Sequence, residues 1–403
     1  MSHPLRIVMI ANARIPSERA HPMQIMHMAA AFASGGAQVT LAYARRANTV
    51  AMRRVGDPFD YANVARSFRL VGLPTIDAIK RVTLDWPFLN VAPIRLVAHF
   101  LQLWTFTISA AFMAERWRGD IVISRDLLPL TVLRIFTRHE AKFAFEAHTV
   151  PRSKFSSALH WWAVRRMDGV VTITEGLRQW YLDAGFDPSR VLVAADGVDV
   201  AAFEQDGQLE ARQDLELPEA APIACYIGHL YPWKGVDVLV EAADQMDESV
   251  HWYIVGGVSP DLDRIRSAAS GHNNIHVTGH LSPSLARKYL LAADVAVIPF
   301  SAREEISRSY TSPLKLFEYM AAQRSIVASD LPSLREILRD GENALLVTPD
   351  DPEALADAVN RLLNDHVLAR GLAQVARAEV EHMTWAKRAE RIVMFLSPDQ
   401  LAA

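Results

Sequence analysis

A chain of two doubly wound α/β domains is the fold class the sequence predicts, and three observations carry it. Short β-branched runs alternate with longer helical stretches, the alternation stops and restarts once near the middle, and the runs are apolar throughout. Alternation of this kind marks α/β folds. Strands apolar on both faces belong in parallel sheets covered by helices. With 403 residues, half of them hydrophobic, the chain has material for two cores of ordinary size, which excludes a disordered or fibrous protein.

In the first half the strand candidates are residues 5–12 (LRIVMIAN), 37–44 (AQVTLAYA), 121–124 (IVIS), 142–148 (KFAFEAH), 169–174 (GVVTIT) and 191–195 (VLVAA). In the second they are 222–228 (PIACYIG), 251–256 (HWYIVG), 275–279 (IHVTG), 295–300 (VAVIPF), 325–329 (SIVAS) and 344–348 (ALLVT). The expected domains are residues 1–200 and 221–385, joined by a polar, acidic linker over 201–220 that closes near Pro218 and Pro222. Residues 96–114 are apolar enough to suggest a membrane span, but His99, Gln102, Thr105, Thr107 and Ser109 interrupt them. Their length is marginal for spanning, so a buried helix of the first domain is expected.

Cys225 is the only cysteine, which rules out an intramolecular disulfide and suits a reducing cytoplasm. The start reads as a first strand and shows no secretory pattern, so a cytoplasmic location is expected. Residues 1–200 carry a net charge of +8 and the rest −12. A basic half can steer toward anionic membrane surfaces or phosphorylated acceptors, or be a scatter of solvated arginines. Peripheral contact with the inner face of a membrane therefore stays open, and no nucleic acid partner is expected.

Open parallel sheets bind ligands beyond the carboxyl ends of their strands, so the chemistry is expected in βα loops. The first such loop of the second half runs Gly228-His229-Leu230-Tyr231-Pro232-Trp233-Lys234-Gly235 and enters a helix. A helix N-terminus offers free N–H groups, Gly228 lets backbone approach, and Lys234 adds charge for a pyrophosphate. A second cluster, Ser312-Pro313-Leu314-Lys315-Leu316-Phe317-Glu318, reads as a helix start with Ser312 as cap and Pro313 in the first turn. Glu318 is placed to accept hydrogen bonds from vicinal ribose hydroxyls. Asp261-Leu262-Asp263 reads as the start of a helix rather than a metal clamp.

In order along the chain, IGHLYPWKGVDVLVEAA, IVGG, TGHLSPSLARKYLLAADVAVIPF and SPLKLFEYMAAQRSIVASDLPSLREILRDGENALLVTPDDPEALADAV resemble the GT4 retaining glycosyltransferases of GT-B fold. The likeness covers residues 220–397, and the first half agrees more loosely through IVISRD, FEAHT, ITEGLRQWYLDAGF and ADGVD. The resemblance implies two Rossmann-like domains facing each other across a cleft, a UDP- or GDP-sugar donor, and transfer with retained anomeric configuration. It implies that Lys234 binds the diphosphate, that Glu318 holds the donor ribose and that His148 faces the transferred sugar, these three forming the catalytic set. It also implies that residues 386–403 carry the last helix, which returns to the first domain.

This sequence departs from the family pattern at three places. His229 stands where the family has arginine, a weaker diphosphate clamp when neutral. Tyr310 stands where the family has a first glutamate, with Glu304 or Glu305 as substitutes. The first-domain loop lacks paired glycines and reads from Asn12 to His21, so Arg14, Glu18 and Arg19 are its candidate acceptor or donor contacts, with Asp126 an acceptor-side residue or a helix cap. No metal or cofactor is expected, since Lys234 and the helix start near Pro313 would stabilise the leaving diphosphate electrostatically. Glycan, lipid-linked and small-molecule acceptors remain open. The competing readings are a nucleotide-sugar epimerase of the same architecture and a non-catalytic partner subunit of another transferase.

Overall fold

The computed structural model describes residues 3–77, 92–151, 153–204 and 207–398. The chain divides into two compact units. The N-terminal unit runs to Ile173, resumes over Leu177–Ala194 and takes up the chain again from Trp385; the C-terminal unit holds Thr174–Gly176 and Ala195–Thr384.

The N-terminal unit is one parallel sheet of seven strands: β1 (Arg6–Ala11), β2 (Gln38–Ala44), β3 (Arg69–Leu73), β4 (Ile121–Ser124), β5 (Lys142–Ala147), β6 (Gly169–Thr172) and β7 (Val191–Val193). Their order is β3-β2-β1-β4-β5-β6-β7, so the chain reverses direction beside β1. Helix α1 (Ala20–Ser34) makes the first crossover, and α2 (Ala92–Trp117), α3 (Leu127–Phe136) and α4 (Lys154–Val164) make three after the reversal. Right-handed crossovers put α2, α3 and α4 on the same face of the sheet. There Phe106, Ala110, Leu130, Leu133 and Val164 share one core with Val8, Val122 and Phe143. The C-terminal helix (Trp385–Leu396) closes the other face, where Trp385 stacks on His27 of α1 with ring centroids 5.6 Å apart. At Gly169 a Cβ would sit 2.5 Å from the Phe395 ring, which is why β6 starts on glycine.

Two expectations are corrected here. Strand β3 (RLVGL) was not foreseen: it is an edge strand with a glycine and an exposed first residue, and lacks the apolar run that marks its neighbours. The helix over 96–114 forms within α2, yet it is not buried: Ala98, Gln102, Phe106 and Ala110 face inward while Val97, Phe100, Trp104, Ile108 and Phe112 are exposed.

The C-terminal unit is a six-stranded parallel sheet of order β10-β9-β8-β11-β12-β13, from β8 (Ile223–Ile227), β9 (His251–Val255), β10 (Ile275–Gly279), β11 (Val295–Ile298), β12 (Ser325–Ser329) and β13 (Leu345–Val347). Along β8, Ile223, Cys225 and Ile227 enter one core while Ala224 and Tyr226 enter the other. Period-two alternation with both sides apolar is the reason the strand reads as one continuous run. Burial pushes the Cys225 thiol well up, so it is inert core material.

Residues 201–220, expected as a linker, belong to this unit and carry a helix over Gln208–Asp214. Buried Arg212 ties it down by donating to Asp294 (2.8 Å) and to the carbonyls of Ala292 (2.9 Å) and Glu219 (2.6 Å). The polar composition of the segment reflects that one anchored face rather than a free connection. Asp261 and Asp263 lie in the first turn of a helix over Asp261–Ala268, where acids favour the macrodipole, with no side-chain cap bond.

Candidate functional site

In the C-terminal unit, backbone constraints shape the loop leaving β8. Gly235 has φ +67°, and a Cβ there would lie 1.7 Å from the Pro299 carbonyl oxygen, so only glycine lets the loop close against the end of β11. Ser301 N–H donates to the Trp233 carbonyl (3.0 Å), and the Tyr226 hydroxyl donates to the His229 carbonyl (2.6 Å). Gly228 meets the loop after β9, where a Cβ on Gly256 would stand 2.3 Å from the Gly228 carbonyl oxygen. His229 lies flat on Tyr231, ring centroids 5.1 Å apart.

These contacts hold Lys234 at the end of a single 3₁₀ turn. Its Nζ lies 3.9 Å from the ring centroids of both Trp233 and Phe300. Among the described residues it has no ion-pair partner. Burial pushes its pKa down to about 7, with repulsion from Lys315 adding to the effect. A cation held by aromatic faces and lacking a counter-ion is set up to receive an anion from outside.

Helix α5 (Leu314–Ala321) supplies the rest of this site. Tyr319 bolts it to the sheet, its hydroxyl accepting from the Ile227 N–H at 2.8 Å, next to Gly228. The expectation that Ser312 caps the helix is corrected: Pro313 is the N-cap residue, and Ser312 Oγ accepts from Asp196 N–H at 3.2 Å. Of the first-turn N–H groups, that of Leu316 donates to the Pro313 carbonyl (3.0 Å), which leaves those of Leu314 and Lys315 without an intrahelical acceptor. Lys315 Nζ donates to Glu318 Oε2 at 2.8 Å, and each side chain is about a third exposed. Tyr310 ends a short helix over Glu305–Ser309, and Glu305 is taken up by Arg308 and Ser309 (3.0 Å) rather than standing free for a sugar.

The N-terminal unit builds a different constellation at the end of β5. Glu146 is buried and is shared among Gln24 Nε2 (2.8 Å), His148 Nε2 (2.6 Å) and Arg388 of the C-terminal helix (3.3 Å). Arg388 also donates to the Ala194 carbonyl at 3.1 Å. Burial alone would raise Glu146, but Arg388, His148 and Arg125 outweigh it and hold the carboxyl well below its usual range. For His148, burial and then Arg125 push the imidazole down to about 3 against the pull of Glu146, so it is neutral at physiological pH. A carboxylate only accepts, so Nε2 carries the proton and Nδ1 is left as the ring's acceptor.

The structure places the remaining N-terminal candidates as follows. Asp126 sits at the N-cap position of α3 but spends its carboxylate on the Asn12 N–H (2.7 Å), and burial raises its pKa. Glu18 accepts from the Thr49 hydroxyl, which gives it a structural partner. Arg14 is half-buried and Arg19 exposed, and neither has a carboxylate partner among the described residues.

Glu146, Gln24, Arg388 and His21 were missed by motif reading. The signal for Glu146 was a charged residue inside an otherwise apolar strand, which needs a buried partner. His21 closes the first loop with its Nε2 buried and unpartnered, its pKa pushed well below the ordinary value by burial, then by Arg125 and His148.

Comparison with known proteins extends this picture. Residues 23–202 match the Glycosyltransferase Family 4 domain, and residues 221–365 match the domain described as Glycosyl transferases group 1. A D-inositol 3-phosphate glycosyltransferase of Acidothermus cellulolyticus is 29% identical over 223 residues, covering 52% of this chain and 48% of that protein. The chain thus spans about half the length of that curated relative. Sucrose-phosphate synthase from Thermosynechococcus elongatus has a similar structure, with TM-score 0.76 and 20% identity over 99% of this chain and 100% of that one. Anabaena HepE in complex with UDP-glucose gives TM-score 0.74 at 14% identity, over 98% of this chain and 100% of that one. At these identities the structural likeness speaks to the fold, which is GT-B. With one family domain on each of its parallel sheets, the chain belongs to the group 1, family 4 glycosyltransferases.

Proposed function

We propose that the protein transfers a sugar from a UDP- or GDP-sugar to an acceptor hydroxyl with retention of anomeric configuration, in the making of a glycan, polysaccharide or glycolipid. One observation carries the reading: Lys234, a cation with no carboxylate partner among the described residues, stands on a βα loop fastened beside Gly228, and Tyr319, in the last turn of α5, ties that helix to the same strand end. Leaving-group departure builds negative charge on the diphosphate. An ammonium and unpaired amides, already oriented, stabilise that charge without reorganisation. Glu318, steadied by Lys315, is assigned to the ribose hydroxyls. Neutral His148, its Nδ1 an acceptor, is assigned to a hydroxyl of the transferred sugar.

The acceptor hydroxyl attacks from the side the diphosphate leaves, and a departing phosphate oxygen takes its proton. No carboxylate nucleophile is required, unlike in retaining glycosidases. The test is a product assay with a panel of nucleotide sugars, with and without acceptors and with a chelator. Acceptor-dependent release of nucleoside diphosphate, insensitive to chelation, is expected. A new nucleotide sugar formed without acceptor would make the chain an epimerase, and donor binding without turnover would make it a partner subunit.

A further inference from the structure

We propose that the α2–α3–α4 face of the N-terminal unit docks on an anionic lipid bilayer, with α2 lying along the surface. The inference rests on this unit alone and does not depend on the transfer reaction. On α2 the exposed residues Val97, Phe100, Trp104, Ile108 and Phe112 recur every three or four positions, and Phe112 is 80% exposed. They form one stripe about 24 Å long. The neighbouring helices continue it, with Ile135 and Phe136 exposed on α3 and Phe155, Leu159 and Trp162 exposed on α4. Scattered single apolar residues are ordinary on a protein surface, but ten large exposed apolar side chains gathered on three adjacent helices need a cover.

Charge decides what covers it. Helix α2 has exposed Arg95 before the stripe and exposed Arg116 after it, and α4 opens on exposed Lys154 and is followed by exposed Arg165 and Arg166. The one acid within the three helices is Glu115. Two such faces pressed together would set like charges against each other, whereas an anionic headgroup layer supplies the opposite sign. The Arg166 guanidinium lies over the Trp162 ring, 4.1 Å from its centroid, an aromatic and cation pairing suited to the headgroup level.

By length and composition Pro93–Met113 would also suffice to cross a bilayer. Its inner side excludes that arrangement. Gln102 donates to Asn12 (2.7 Å), Ser109 donates to the Pro74 carbonyl (2.7 Å), and Phe106 and Ala110 are part of the sheet's core. A helix held on one side by its own protein core can meet a bilayer only by lying along its surface.

The test is co-sedimentation of the full chain with vesicles of phosphatidylcholine alone and of phosphatidylcholine with phosphatidylglycerol. The wild-type protein is expected to pellet with the anionic vesicles, less so as salt rises from ~0.1 to ~0.5 M. The double variant Trp104→Glu, Phe112→Glu is expected to lose at least about ten-fold in partitioning while keeping nucleoside diphosphate binding in the C-terminal unit. Independently of any variant's folding, anionic vesicles with brominated acyl chains should quench part of the wild-type tryptophan fluorescence, and Trp104→Phe should reduce that quenching. Equal pelleting of wild type and double variant, no quenching, or a stable dimer that the double variant splits without any vesicle binding would each overturn the proposal.

Discussion

In the C-terminal unit Lys234 has no carboxylate partner among the described residues, whereas in the N-terminal unit Glu146 is divided among Arg388, His148 and Gln24. The first arrangement keeps a charge in reserve for a ligand. The second consumes its charges internally and leaves one neutral imidazole acceptor in place. Under the proposed function, this difference assigns the anionic group to the C-terminal unit and leaves the N-terminal unit with a single neutral hydrogen-bond acceptor. The same contrast runs over the outer surfaces: net +8 with an apolar three-helix face in the first 200 residues, net −12 in the rest.

The sharpest way to break the comparison is to unpair the internal network. Arg388→Met leaves Glu146 buried without its guanidinium, and a loss of about 3–5 kcal/mol is expected in the N-terminal unit. Hydrogen exchange resolved by segment should show the loss around β5, α1 and the C-terminal helix and little change at the Lys234 loop. A double-mutant cycle with Glu146→Gln should recover part of the loss. If both units soften equally, the network is not confined as described.

A smaller effect is expected at Gly235. Alanine there meets the Pro299 carbonyl and a left-handed backbone, so Gly235→Ala should cost about 1–3 kcal/mol, measured as a lowered Tm. It should also displace Lys234 and weaken nucleoside diphosphate binding, with the N-terminal exchange pattern intact.

pH separates the units again. His148 has its pKa lowered from 6.5 to about 3, so in this window the unfolded chain takes up a proton that the fold refuses. Stability from this source is complete above pH 6.5 and is lost as pH falls toward 3. His21 acts in the same direction, and Glu146, depressed from 4.5, adds its own loss below that value. In the C-terminal unit Lys234 carries its charge below a pKa of about 7, so diphosphate affinity should fall as pH rises through and beyond 7. Calorimetry in buffers of different ionisation enthalpy should detect proton uptake on binding above that pH.

The smallest expected effect is at His148. Its Glu146 bond orients the ring, and His148→Ala should lower kcat by ~10²-fold or less with diphosphate affinity unchanged. A large loss of diphosphate affinity would show that the N-terminal site receives charge after all.

Much of this was legible in the sequence because the signals are local. Continuous apolar runs identified twelve of the strands, and glycine and lysine placement alone singled out the loop from Gly228 to Gly235 as the candidate site after β8. The rest depended on partners far apart in the chain. Glu146 and Arg388 are separated by 242 residues, so nothing near either one announces the pair. The buried face of α2 and its exposed face are equally apolar, and composition therefore pointed to a buried helix where half the surface is open. Ser312 carries a capping side chain, but Asp196 N–H claims it, a competition only tertiary structure reveals.

The central claim, that an unpaired ammonium in the C-terminal unit receives a nucleoside diphosphate, is tested most directly by calorimetric titration of UDP and GDP into the wild-type protein and Lys234→Met at pH 6.5. One of the two nucleotides should bind the wild type, and the variant should bind it at least about thirty-fold more weakly, a loss of ~2 kcal/mol. Equal affinity in both proteins, or no binding of either nucleotide to the wild type, would contradict the account.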